Sequence, residues 1–65
     1  MKFKEYDTVK IIEDHNQGIK KGTIGAIIMA FDEPQEAYEV EILGADGKTK
    51  TQGTFFPNDL ELVRR

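Results

Sequence analysis

Hydrophobic and polar residues alternate most cleanly between Ala37 and Leu43, where Tyr38, Val40 and Ile42 fall on one side and Glu39 and Glu41 on the other. A period of two is the signature of a half-buried β-strand. The same period, with Val9 and Ile11 between Thr8 and Lys10, predicts a strand over Asp7 to Ile12. From Thr23 to Phe31 both faces are apolar or small, with Ile24, Ala26 and Ile28 on one side and Ile27, Met29 and Phe31 on the other. This predicts a strand in a tightly curved sheet whose outer face is partly covered, with Gly25 marking a bulge or a close backbone approach. Two more strands are expected, over Lys48 to Phe56 and over Leu60 to Val63.

The segments between these strands read as turns and loops. Glu13 to Lys21 is polar, holds Gly18, and predicts a long loop; Asp32 to Glu36 is a second loop, in which Pro34 breaks any ladder. Asp46-Gly47 is a hairpin signal, because a type I′ turn needs positive φ at both central positions. As a two-residue loop it sets Ile42 opposite Thr51 and Tyr38 opposite Phe55; a longer loop from Gly44 to Gly47 sets Glu41 opposite Lys50. Pro57-Asn58-Asp59 makes a tight turn before the last strand. The expected fold is therefore all-β, a small five-stranded antiparallel SH3-like barrel in which the last strand pairs with the first. Closure would hide the edges of a flat sheet. An OB-like barrel is the alternative, though it usually needs more chain and a helix.

Composition narrows the chemistry. A chain of 65 residues suits one domain over 1–65, and its 17 Ile, Val, Leu and Phe residues suffice for a folded core. There is no Cys, Ser or Trp, and His15 is the only histidine. This excludes a disulfide scaffold, a zinc site of Cys and His ligands, and covalent catalysis by Ser or Cys. Catalysis by paired carboxylates would need a cleft that so small a chain can hardly form. The expectation is a non-enzymatic protein with no catalytic residue, cofactor or metal. Met1 to Glu5 carries charges where a signal peptide begins its apolar stretch, and the longest mostly apolar run, Gly22 to Phe31, is far short of the ~20 residues that span a bilayer. A cytoplasmic protein with no membrane contact is expected.

Charge is distributed unevenly. Between Lys21 and Lys48 there is no basic residue, whereas Asp32, Glu33, Glu36, Glu39, Glu41 and Asp46 are all acidic. The rest of the chain is net basic, which brings the total to −3. The loop after the second strand and the outer face of the third should form an acidic patch. Such a patch either solvates the surface or meets a basic protein partner, and in the second case Asp32, Glu33, Glu36, Glu39 and Glu41 are its contacts. Phe55 and Phe56 point to opposite faces of one strand, so one is core. The other, Phe56, is either buried under the first loop or a partner anchor.

Other features read more plainly. Lys20-Lys21-Gly22-Thr23-Ile24-Gly25 contains a basic Gly-x-x-Gly, yet it opens a strand, and a pI near 5.0 opposes binding to phosphates. Nucleic acid is not the expected partner on that ground. His15, beside Asp14 and Asn16, reads as an exposed loop residue, and Arg64-Arg65 as a short frayed end.

Tyr6-Asp7-Thr8-Val9, Gly18 to Gly25, Ala37 to Glu41, Asp46 to Thr49 and Leu60 to Val63 follow one another in an order that resembles a family of small bacterial domains of unknown function with SH3-like barrels. Similar barrels include immunity proteins of polymorphic toxin systems. The resemblance runs from Phe3 to Val63, and its matching positions are mostly ones that determine the fold. It implies a protein that binds and neutralises a cognate toxin, for which a basic toxin domain is the expected partner. The alternatives are an accessory nucleic-acid-binding barrel, ribosome- or transcription-associated, and a self-associating module, since homo-oligomers stabilise chains this small.

Overall fold

A computed structural model describes residues 1–14, 18–44, 47–48 and 50–65. Five strands run in chain order: β1 (Thr8–Ile11), β2 (Ile24–Phe31), β3 (Ala37–Leu43), β4 (Lys50–Phe55) and β5 (Leu60–Arg64), with one 3₁₀ turn at Pro57–Asp59 leading into β5. They form a single antiparallel sheet in the order β4-β3-β2-β1-β5. As expected, the last strand lies beside the first. No ladder joins β4 to β5 among the described residues, so the sheet is open at those two edges and not a closed barrel.

The hairpin of β3 and β4 takes the register of the shorter loop. Tyr38 faces Phe55, Val40 faces Gly53 and Ile42 faces Thr51, while Glu41 lies opposite Gln52 and not Lys50. Gly47 has φ +71° and donates its N–H to Gly44 O at 3.0 Å. Asp46, the first residue of the expected turn pair, and His15 lie outside the described residues.

The second strand departs from the alternation expected of it. Ala26 pairs with Glu41 and Ile27 with Val40, but the next pair is Met29 with Glu39, so Ile28 is an extra residue on β2. A bulge of this kind switches the face on which the following residues lie. Gly25 and Ile27 point inward before it, and Ala30 packs on the core after it. Met29 and Phe31, which simple alternation would place beside Ile27, are instead 50% and 40% exposed. Gly25 itself is the close approach and not the bulge. A Cβ built there would lie 2.7 Å from Val40 Cγ1 and 2.9 Å from Glu41 O.

The core occupies one face of the sheet. Val9, Ile11, Ile27, Tyr38, Val40, Ile42, Phe55 and Leu60 come from all five strands, and Phe3 and Ile19 reach it from outside them. Phe3 is held by a residue 35 positions away in the sequence. Its N–H donates to Tyr38 Oη at 3.0 Å, and its ring meets the Tyr38 ring edge-on with centroids 5.3 Å apart. Edge-on pairs of this type contribute about 0.5–1.5 kcal/mol beyond area burial. Of the two adjacent phenylalanines, Phe55 is the core residue, and Phe56 stays 43% exposed rather than covered by the first loop.

Candidate functional site

The outer face of the sheet, opposite the core, carries most of the residues singled out by charge. Because β3 alternates strictly, Glu39 and Glu41 project there, and the ladders fix their neighbours: Thr54 and Met29 beside Glu39, Gln52 and Ala26 beside Glu41. One step along, Phe31 pairs with Ala37. Carrying the β3–β4 register one residue further sets Phe56 on the other side of Ala37. At the opposite end of β2, Ile24 pairs with Lys10, and Leu43 with Lys50. Ile24, Met29, Phe31, Leu43 and Phe56 are each at least 40% exposed. The face thus sets exposed apolar side chains among Glu39, Glu41 and neutral polar residues, with Lys10 and Lys50 at its Ile24–Leu43 end.

The acidic residues differ in what they do. Glu36 accepts hydrogen bonds from the Tyr38 hydroxyl and from Lys2 N–H, the latter at 2.9 Å. The Tyr38 hydroxyl above all, and then the Lys2 amide, hold its carboxyl below the ordinary carboxylate value. Burial first, and Glu36 second, push the Tyr38 phenol up. Glu36 is therefore a latch that ties the N-terminal segment to Tyr38. Glu39 accepts from Thr54 Oγ1 at 2.9 Å across the ladder. Asp32, Glu33 and Glu41 have no hydrogen-bond or ion-pair partner among the described residues. Asp32 and Glu33 sit in the exposed loop after β2, beside a shallow groove of about 370 Å³ lined also by Met1, Ala30 and Phe31. The structure thus brings Glu39 and Glu41 together on one face, places Asp32 and Glu33 on the loop at its end, and engages Glu36 with Tyr38 and Lys2.

Two kinds of residue escape the sequence. Met29 and Phe31 read as sharing the side of Ile27, because nothing in an apolar run announces a bulge. Tyr6 is the second case, with φ +72° and 79% exposure. Its N–H donates to Ile27 O at 2.6 Å, and the turn that holds it is closed by Asp7 N–H to Lys4 O and by Lys4 N–H to the buried Asp7 carboxylate. A left-handed backbone costs a bulky residue roughly 1–2 kcal/mol, and Gly or Asn is the usual occupant. Here it presents an aromatic ring to solvent next to the bulge.

The basic turn before β2 is structural. Lys20 O accepts from Thr23 N–H and Thr23 Oγ1, Gly22 takes φ +95°, and Lys21 N–H donates to Asp14 Oδ1. These contacts make it the strand-entry turn. Among the described residues, no three His, Cys, Asp or Glu side chains group so as to hold a metal ion, and no helix is long and apolar enough to cross a membrane.

The model of one protein family, described as a domain of unknown function (DUF4926), matches residues 5–62. No curated protein and no solved structure matches the chain.

Proposed function

The chain belongs to the DUF4926 family, and from that premise we propose that it is a non-catalytic, protein-binding module whose outer sheet face receives a basic partner. The observation that carries this reading is the side-by-side exposure of Met29 and Phe31 with Glu39 and Glu41 on one face. Apolar side chains supply binding energy, up to about 1.5–3 kcal/mol for each one fully buried. Carboxylates around them select a positively charged partner and speed its approach. The most specific form of the proposal is a cytoplasmic immunity protein that blocks a cognate basic toxin, its carboxylates standing where phosphates would bind. The acidic run from Asp32 to Asp46 supports that form. The order β4-β3-β2-β1-β5, with a 3₁₀ turn entering β5, supports an SH3-like arrangement, an open counterpart of the small barrel.

The test is affinity capture from source-cell lysate with and without nuclease, followed by an activity assay of whatever protein is retained. One stoichiometric basic protein, retained after nuclease and inhibited by this chain, is the expected result. RNA that vanishes with nuclease would move the function to nucleic-acid binding. Recovery of the chain alone, with a mass that rises with concentration, would make it a self-associating module.

A further inference from the structure

On the outer face, Thr8, Ile24, Gly25, Ala26, Glu41 and Leu43 line a groove of about 250 Å³. Its origin is simple. Ala26 is short, so the sheet surface dips between the larger Ile24 and Leu43, which lie opposite one another when the β2–β3 register is carried two residues beyond the Ala26–Glu41 pair. Those two walls are 49% and 56% exposed. At one side stands Glu41, a half-buried carboxylate with no hydrogen-bond or ion-pair partner among the described residues. The chain's own neighbouring cations leave it so. Lys10, beside Ile24, pairs with Glu61 at 3.5 Å, and Lys50, beside Leu43, forms no ion pair with Glu41.

We infer that this groove takes a single arginine side chain from the protein partner, its aliphatic stem along Ile24, Ala26 and Leu43 and its guanidinium on Glu41. The inference rests on the protein-binding reading above and deepens it. Charge complementarity decides among occupants. A purely apolar side chain would cover Glu41 without satisfying it, which is costly, and an acidic one would be repelled. A lysine satisfies the charge, but its ammonium is strongly hydrated and meets the carboxylate as a point. The arginine fork is less hydrated and matches a carboxylate with two parallel hydrogen bonds.

An acetylated, amidated Gly-Arg-Gly peptide is the probe, titrated at low salt into labelled protein while amide and methyl resonances are followed. The expected result is weak, saturable binding with shifts concentrated at Ile24, Ala26, Glu41 and Leu43. Glu41→Gln should weaken it about tenfold, the loss of one charge-assisted contact. The citrulline peptide, which keeps the shape and loses the charge, should weaken it similarly on the unaltered protein. Absence of saturable binding, shifts confined to the Asp32–Glu36 loop, or equal binding of the citrulline peptide would overturn the inference. Equal binding of the lysine peptide would overturn the choice of arginine. The two levels separate cleanly. A partner held equally by wild type and Glu41→Gln ends the arginine site and leaves the binding module standing. A peptide that titrates as expected, with no protein partner for the wild type, does the reverse.

Discussion

Glu36 and Tyr38 together hold the N-terminal segment, the first accepting from Lys2 N–H and the second from Phe3 N–H. The Glu36 carboxyl is held low by the Tyr38 hydroxyl and the Lys2 amide, so its contribution to stability is present above the ordinary carboxylate value. That contribution is lost as pH falls through the depressed native value, because the unfolded chain then binds more protons. The Tyr38 phenol is raised, so its contribution is present below the ordinary tyrosine value and lost as pH rises toward the native one. Urea unfolding of wild type should therefore show stability falling at both ends of the pH range. Glu36→Gln should flatten the acid limb, and Tyr38→Phe the alkaline limb; unchanged limbs would remove the latch. Gly25 is a second residue with a defined duty. Gly25→Ala drives a methyl against Val40 and the Glu41 carbonyl, and should cost about 1–3 kcal/mol in the same measurement.

At the level of elements, the strands are where the chain is most legible. β3 is visible because Tyr38, Val40 and Ile42 alternate with glutamates, and β4 follows because Asp46-Gly47 limits the register to two choices. The boundaries of β1 and β4 shift inward by one or two residues, where Asp7 turns back on Lys4 and Phe56 N–H turns to Asp59 Oδ2 at 3.0 Å. β2 is legible as a strand but not in its facing. Ile27, Ile28 and Met29 are all apolar, so no polar residue marks which side meets water, and only pairing with β3 reveals Ile28 as the extra one. The candidate face inherits this blindness: its glutamates and Phe56 could be read, and Met29 and Phe31 beside them could not. Tyr6 was hidden for the opposite reason, since its left-handed backbone is held by distant Ile27 rather than by a local Gly or Asn. The bulge makes a sharp prediction. Met29→Lys should change the unfolding free energy little, within about 0.5 kcal/mol, as at an exposed site. Ala30→Lys, one residue on, buries a charge against the core and should destabilise by several times as much. Equal losses, or the reverse order, would place the bulge elsewhere.

For the whole molecule, the sheet divides its labour between faces. The core face holds the aliphatic and aromatic residues that fold the chain, with Phe3 and Ile19 covering it. The outer face gains nothing for folding from exposing Met29, Phe31, Ile24 and Leu43, and exposed apolar patches rimmed by charge mark interaction sites. The net charge of −3 conceals a chain whose acidic residues concentrate in the stretch that builds this face and its loop. Association with a basic partner should therefore weaken as salt rises. The central claim is that the outer face of β2 and β3 is the binding surface. Titration calorimetry of the retained partner against three proteins tests it most directly: wild type, a Met29→Ala, Phe31→Ala double variant, and Asn58→Ala in the exposed turn that enters β5 as a control off the face. The double variant should bind at least about tenfold more weakly, and the control within about twofold of wild type. Wild-type affinity in the double variant, with loss in the control, would contradict the account and move the surface to the turn that enters β5.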